Sequence, residues 1–337
     1  MPTLSRTKFD NLQACANDAG IIAAAAMDQR GSLQKALKSG GGSDDNASMA
    51  AFKLEVTESL TPHATALLLD PTYGLEVSRK RAANTGLLLA YETSGYDNDV
   101  PGRLPDLLPT WSVTRLAETG ANGVKLLLYY NPFDRDDINE QKHAFIERVG
   151  AECDAVGLPF FLEPVTYNDD LKDKFEFAKV KPQYVKETMR IFSEERYGVD
   201  ILKVEIPFDA NYTEGYSSSG LVAYSQDEAQ AHTREAANEA KKPFIYLSAG
   251  VDMDVFIASL KLAGEAGVPF SGVLCGRATW KGAIPIFAQH SSEAMREWLE
   301  ADGVANIKRL NEVVDEHAKP WWHIYGGKDK LEITEPA

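Results

Sequence analysis

Eight short apolar runs, each bounded by Gly, Pro or Asp, punctuate the chain. They are IIAAAAMD (21–28), ATALLLDP (64–71), GLLLAYE (86–92), GVKLLLYY (123–130), LPFFLEPV (158–165), ILKVEIP (201–207), KPFIYLSAG (242–250) and FSGVLCGR (270–277). None shows in/out polar alternation, and such continuous apolar character predicts parallel strands covered on both faces. Between them lie segments of helical periodicity, such as INEQKHAFIERVGAECDAVG, PQYVKETMRIFSEERYG and QDEAQAHTREAANEAKK, each ending near a Gly or Lys as helices do. Eight strand–helix alternations without a long linker predict one α/β domain over residues 1–337, a closed (β/α)8 barrel of parallel strands with outer helices. An open doubly wound sheet is the competing arrangement. The stretches SGGGSDDNAS (39–48) and YSSSG (216–220) read as surface loops or lids. The tail 320–337 carries two tryptophans beside a polar end, a composition suited to docking on the barrel or on a partner subunit.

In a (β/α)8 enzyme the chemistry sits at the C-terminal ends of the strands, so polar residues late in an apolar run are the informative ones. Asp28, Glu92 and Glu163 close runs, Lys125 lies within one, and Lys203 and Glu205 share another. Alternation places Lys203 and Glu205 on one side of their strand, and groups Lys125 with Leu127 and Tyr129. Taken alone, Lys125 reads as a strand-end residue reaching to water, and Lys203 as an ion pair with Glu205 or Glu163. Two interior lysines beside one carboxylate favour a catalytic site, because a buried lysine is rarely kept without pairing or function. A lysine of ordinary pKa is neutral only about four parts in ten thousand at neutral pH, whereas burial and a neighbouring ammonium disfavour the charged form of an amine. Lys125 is the natural neighbour for Lys203 in that role. After the last two strands, YLSAG (246–250) and LCGRAT (274–279) run into small residues that open a helix. Backbone N–H groups from Ser248 to Gly250 and at Gly276 and Arg277, with the Arg277 guanidinium, are candidates for holding a phosphate. Gly250 and Gly276 taken singly would be turn residues.

Composition narrows the partners. With 44% hydrophobic and 25% charged residues the chain is an ordinary globular protein, and a formal net charge of −15 argues against nucleic acid or an anionic membrane. An anionic substrate then requires a local basic pocket. Cys15, Cys153 and Cys275 form neither a disulfide framework nor a zinc pattern, which fits a reducing cytoplasm, and Cys275 reads as a small buried filler. The six histidines, His63, His143, His232, His290, His317 and His323, show no ligand spacing, so no metal is expected. Neither a secretory leader nor a membrane span is expected from the sequence.

The segments AMDQRGSL, LLAYETSGYD, RLPDLLPTWS, GVKLLLYY, PFFLEPVTY, DILKVEIPF, YLSAGV and GVLCGRATW resemble the class I tagatose 1,6-bisphosphate aldolases, over about residues 7 to 322. That resemblance implies a (β/α)8 barrel, oligomeric with a dimer favoured, that splits a phosphorylated ketose into dihydroxyacetone phosphate and glyceraldehyde 3-phosphate without a metal. It implies that Lys203 is the Schiff-base residue, Lys125 its electrostatic neighbour and Glu163 the proton shuttle. Asp28 and Gln29 are implied to contact substrate hydroxyls, and Ser248, Gly276 and Arg277 the phosphate retained on the dihydroxyacetone fragment. For the second phosphate, family members carry a basic residue in the motif after the third strand where this chain has Thr93, which leaves Arg30 and Arg103 as the remaining basic candidates. An aldolase for a sulfonated ketose phosphate, a phosphosugar isomerase and a non-catalytic sugar-phosphate sensor are the alternative readings.

Overall fold

The computed structural model describes residues 3–93, 100–217 and 219–335. Strand β1 (Thr3–Ser5) lies outside the barrel, and the barrel strands are β2 (Ile22–Met27), β3 (Ala66–Leu69), β4 (Gly86–Ala90), β5 (Gly123–Tyr130), β6 (Phe160–Thr166), β7 (Ile201–Val204), β8 (Phe244–Leu247) and β9 (Gly272–Cys275). Each pairs in parallel with the next, and β9 closes on β2 through the register Ile22↔Gly272 to Ala25↔Cys275. The fold is therefore the closed (β/α)8 barrel that the eight apolar runs predict, and the open sheet is excluded. All eight expected strands form, each within its run or one residue beyond it.

Alternation along these strands sorts the apolar residues into two shells. Ala23, Ala25, Met27, Leu67, Leu69, Leu87, Leu89, Val124 and Leu126 face the outer helices, whereas Ile22, Ala24, Ala26, Leu68, Leu88, Ala90, Phe161, Ile201, Ile245 and Leu274 fill the barrel interior. Both faces of every strand are thus buried, which is the physical reason the runs show no polar alternation. Interior alanines make room for larger neighbours. Lys125 is flanked in the ladder by Ala90 on β4 and Phe161 on β6, and the small Ala90 leaves space for the lysine chain.

Of the stretch 39–48 expected as a loop, residues 40–45 form one, joining the helices Gly31–Ser39 and Asn46–Leu60, whereas residues 46–48 are the first turn of the second helix, capped by Asp45. The expected helix beginning at Pro182 starts a full two turns earlier, at Lys174, where Asp173 caps it, and carries Pro182 in its interior. The tail docks on its own chain. Trp321 donates its backbone N–H to the Gly20 carbonyl, Trp322 lies across Gly20, and β10 (Glu332–Thr334) pairs in parallel with β1. Phe9, Trp321 and Leu331 join the interior shell below the barrel and so close the face opposite the strand C-termini. Among the described residues no helix is long and apolar enough to cross a membrane.

Candidate active site

The interior-facing positions turn from apolar to charged toward the C-terminal ends of five strands, four of them consecutive around the barrel and the fifth, β2, one strand removed. Asp28 follows β2, Glu92 follows β4, Lys125 lies in β5, Glu163 in β6 and Lys203 in β7. Lys125 is fully buried, and its ammonium lies 2.8 Å from Asp28 Oδ2, 2.8 Å from Glu92 Oε1 and 2.7 Å from Glu163 Oε2. The Glu163 contact is an ion pair outside hydrogen-bond alignment, since Oε2 has no hydrogen-bond partner. The other oxygen of Glu163, Oε1, is 2.8 Å from Lys203 Nζ, so one carboxylate bridges the two lysines.

Burial works to lower the pKa of Lys125, but Asp28, Glu163 and Glu92 together outweigh it and hold the ammonium well above the usual lysine range. Asp28 behaves in the opposite sense: burial pushes its carboxyl up, while Lys125, Lys203 and Lys53 prevail and hold it well below the usual carboxylate range. Glu92 is a hub. Its Oε2 accepts from the Leu127 backbone N–H at 3.1 Å, and its own carbonyl accepts from Arg30 Nη2 at 2.7 Å. The motif RLPDLLPTWS accounts for its placement, because Thr93 donates to Asp106 O and Leu108 to Tyr91 O, which fastens the end of β4 at Glu92.

Lys203 faces a narrow recess lined by Ala26, Gln29, Ser248, Gly250, Gly276 and Arg277, which opens beside a cavity of about 690 Å³ lined by Asp28, Arg30, Lys35, Tyr129, Glu163 and Arg277, among others. The predicted site residues Asp28, Gln29, Arg30, Lys125, Glu163, Lys203, Ser248, Gly250, Gly276 and Arg277 therefore converge on one end of the barrel. Gly250 adopts φ +77, and a Cβ there would fall 2.7 Å from the Arg277 guanidinium, so glycine is what lets the arginine lie against this turn. Ala249, a non-glycine at φ +49, carries the strain of the same turn. Arg277 is exposed and makes no ion pair among the described residues, which leaves it available to an anion.

Of the two carboxylates open to Lys203, Glu163 is the one it meets. Glu205 does not pair with Lys203; its Oε2 accepts from the Thr166 backbone N–H at 2.7 Å and from the Thr166 hydroxyl at 2.6 Å, and its Oε1 lies 3.3 Å from Lys181. Arg103 is bonded to Asp169 at 2.5 Å, with its guanidinium 4.2 Å from the centre of the Tyr167 ring and 5.2 Å from that of Tyr129, a residue of the cavity wall. The motif after β4 ends at positions 94–97, outside the described residues, as does position 218 in the stretch 216–220. Cys275 is the buried filler expected, its thiol pushed up to about 12 by burial. Among the described residues no group of three or more His, Cys, Asp or Glu is arranged to hold a metal ion.

The sequence reading missed a second buried pair. Lys53 and Asp70 are both fully buried, 2.6 Å apart, at the end of β2 and β3. It also missed Lys35, which lines the cavity from the helix Gly31–Ser39, is exposed and makes no ion pair among the described residues.

A closed barrel with its charged residues gathered where the strands end is the architecture of a (β/α)8 enzyme. Residues 22–282 match the model of the DeoC/LacD family aldolases, and the chain belongs to that family. It is an aldolase, a lyase of carbon–carbon bonds. It is 46% identical over 337 residues, 99% of each chain, to a protein of Listeria monocytogenes serovar 1/2a named tagatose 1,6-diphosphate aldolase. A protein of the same name from Staphylococcus aureus strain JH9 is 47% identical over 320 residues, 94% of this chain and 98% of that one.

Proposed function

We propose that this chain is a class I aldolase that cleaves tagatose 1,6-bisphosphate to dihydroxyacetone phosphate and glyceraldehyde 3-phosphate through an imine on Lys203. The observation that carries the reading is the unequal treatment of two lysines by their carboxylates. A nucleophilic amine has to be neutral. Lys125, held by three carboxylates, stays an ammonium, whereas Lys203 meets a single carboxylate, Glu163, which it shares. The names of the relatives supply the substrate, and favour a phosphate over a sulfonate at its far end.

In this reading Lys203 passes a proton to Glu163 and the freed amine adds to the ketose C2 carbonyl; one N–H proton and the proton held by Glu163 then move to the oxygen, and water leaves to give a protonated imine with Glu163 again a carboxylate. Glu163 then takes the C4 hydroxyl proton while the electrons of the C3–C4 bond pass into the imine and form an enamine. The aldehyde departs, the enamine is protonated at C3, and water returns to release dihydroxyacetone phosphate and free amine. The imine is the electron sink, so no metal has a task in these steps. Lys125 fixes Glu163 between the two amines, and Asp28 and Gln29 meet substrate hydroxyls. Ser248, Gly250, Gly276 and Arg277 hold the phosphate nearest the imine. With Arg103 committed to Asp169, the far phosphate falls to Arg30, Ser32 and Lys35, which line the same cavity.

Trapping decides this. Incubation with dihydroxyacetone phosphate and borohydride is expected to leave a reduced adduct that mass spectrometry maps to Lys203, with cleavage of tagatose 1,6-bisphosphate unaffected by EDTA. An adduct on Lys125 would exchange the two roles. Activity abolished by EDTA and restored by zinc, with no adduct on any lysine, would overturn the imine mechanism.

A further inference from the structure

The Lys53–Asp70 pair belongs to neither the imine chemistry nor the phosphate contacts, yet it sits against the segment that carries Asp28. Lys53 extends from the helix Asn46–Leu60 to the end of β2, and its ammonium donates to the carbonyl of Met27 at 2.5 Å and to that of Gln29 at 2.9 Å. Those two carbonyls flank Asp28. The β2–β3 ladder ends with Met27 opposite Leu69, and Asp70, the residue after β3, lies 2.6 Å from the same ammonium. Two N–H groups thus meet two carbonyls where the ladder runs out, and the carboxylate adds an ion pair outside hydrogen-bond alignment, since its Oδ2 has no hydrogen-bond partner. The other oxygen of Asp70 accepts from the Tyr73 backbone N–H at 2.9 Å, so the carboxylate is itself anchored. From the clamped segment Asp28 reaches Lys125 at 2.8 Å, and Lys125 reaches Glu163.

We infer that Lys53, held by Asp70, is a positioning residue for the aldol chemistry: it fixes the peptides on either side of Asp28 and so sets the Asp28–Lys125–Glu163 chain that faces Lys203. The inference rests on the proposed imine mechanism. A buried cation that only held the fold together would need its carboxylate partner and no more; here both of its hydrogen bonds go to the carbonyls bracketing one site residue. An error of about 1 Å in the placement of a reacting group costs on the order of a hundredfold in rate, so a loosened segment acts on turnover before binding. The phosphate contacts assigned to Ser248, Gly276 and Arg277 lie after β8 and β9 and do not depend on the clamp.

The test compares Lys53→Met, the double variant Lys53→Met/Asp70→Asn, and Asp70→Asn alone. Lys53→Met leaves Asp70 buried without its cation and lowers Tm. The double variant removes both charges and is expected to recover most of that Tm, yet to keep a kcat about 10- to 100-fold below the parent with KM changed less than about threefold. Asp70→Asn alone, which takes the anchor from Lys53 but leaves it beside its two carbonyls, is expected to lower kcat about 3- to 10-fold where it is fully folded, with KM changed less than about threefold; it serves as the decisive variant should the Lys53 variants not fold, and an unchanged kcat in it would overturn the inference. Recovery of kcat in step with Tm in the double variant would reduce Lys53 to a structural role and overturn the inference. So would a loss in Asp70→Asn that appears in KM alone or in proportion to its Tm. Borohydride trapping on the parent separates the two readings: no adduct on parent Lys203 sinks the imine mechanism, whereas a normal parent adduct with unimpaired trapping in the double variant sinks only the positioning role.

Discussion

Of the six lysines buried among the described residues, Lys8, Lys53, Lys125, Lys203 and Lys242 each reach a carboxylate, whereas Lys142 makes no ion pair. Its ammonium donates to the Tyr167 hydroxyl at 3.2 Å and lies over the faces of Tyr167 and Tyr130. Burial brings its pKa down to about 8, against the pull of Asp134. A lysine whose folded pKa is depressed penalises the fold while it is charged there. Between pH 8 and the ordinary lysine value the unfolded chain binds a proton that the folded one has released, so stability due to this group rises with pH across that window. The expected outcome is that Lys142→Met has a higher Tm than the parent at pH 7, and that the difference shrinks by pH 10, as read in paired melts. A constant difference at all pH values would show that Lys142 does not titrate in the fold. At the residue scale the sequence was informative where a charge interrupts an apolar run, which is how Asp28, Lys125, Glu163 and Lys203 stand out. Lys53 and Lys35 lie in helices, where a lysine looks like any solvated one, and nothing in the pattern says that one is fully buried and the other lines the cavity. Asp70 closes its own run as Asp28 does, and only the absence of a visible partner concealed it.

Elements were legible to the extent that burial dictates their composition. The eight strands are buried on both sides and could be read as continuous apolar runs. The helix over Lys174–Phe192 was harder, because Pro182 looks like a starting residue; the Asp173 side chain, which accepts from Phe175 and Glu176, sets the true start, and an internal proline is tolerated farther along. The tail is an element that no periodicity announced. Trp321 is almost fully buried, 5.7 Å from Phe9 and 5.3 Å from Trp322 between ring centres, beneath the barrel. Trp321→Ala is therefore expected to lower stability by about 3–5 kcal/mol, the usual cost of emptying a buried tryptophan site. Since the site lies at the opposite face, kcat in the folded variant should stay within about twofold of the parent. Denaturant melts and steady-state rates read the two quantities separately, and a large loss of kcat at full folding would show that the tail communicates with the mouth.

At the scale of the whole molecule, a chain of net charge −15 places exposed cationic groups, Arg277 and Lys35, on the wall of its main cavity. An anionic substrate meets attraction there against the repulsion of the net charge. The cavity also offers several polar partners to a sugar hydroxyl: Asp28, Gln29 and Glu163 all line it. Cleavage leaves C4 as a planar aldehyde carbon, so tagatose 1,6-bisphosphate and its C4 epimer give the same products and differ only in how one hydroxyl meets its base. With plural partners the mismatch is expected to be one or two hydrogen bonds, and kcat/KM for fructose 1,6-bisphosphate should lie within about two orders of magnitude of that for the tagatose epimer. A preference above about ten-thousandfold would instead mean a rigid pocket with a buried group left unpaired by the wrong epimer. One more property belongs to the molecule entire. Because β1 and β10 run side by side, Thr3 opposite Glu332 and Ser5 opposite Thr334, the polypeptide is nearly an annulus: a bridge from the end of β10 to the start of β1 need only double back along three residues, about 10 Å. The break in the ring thus falls on the floor of the barrel, and the backbone could be reopened in a connection such as 40–45 with the old ends spliced, leaving every lysine and carboxylate of the mouth in its place.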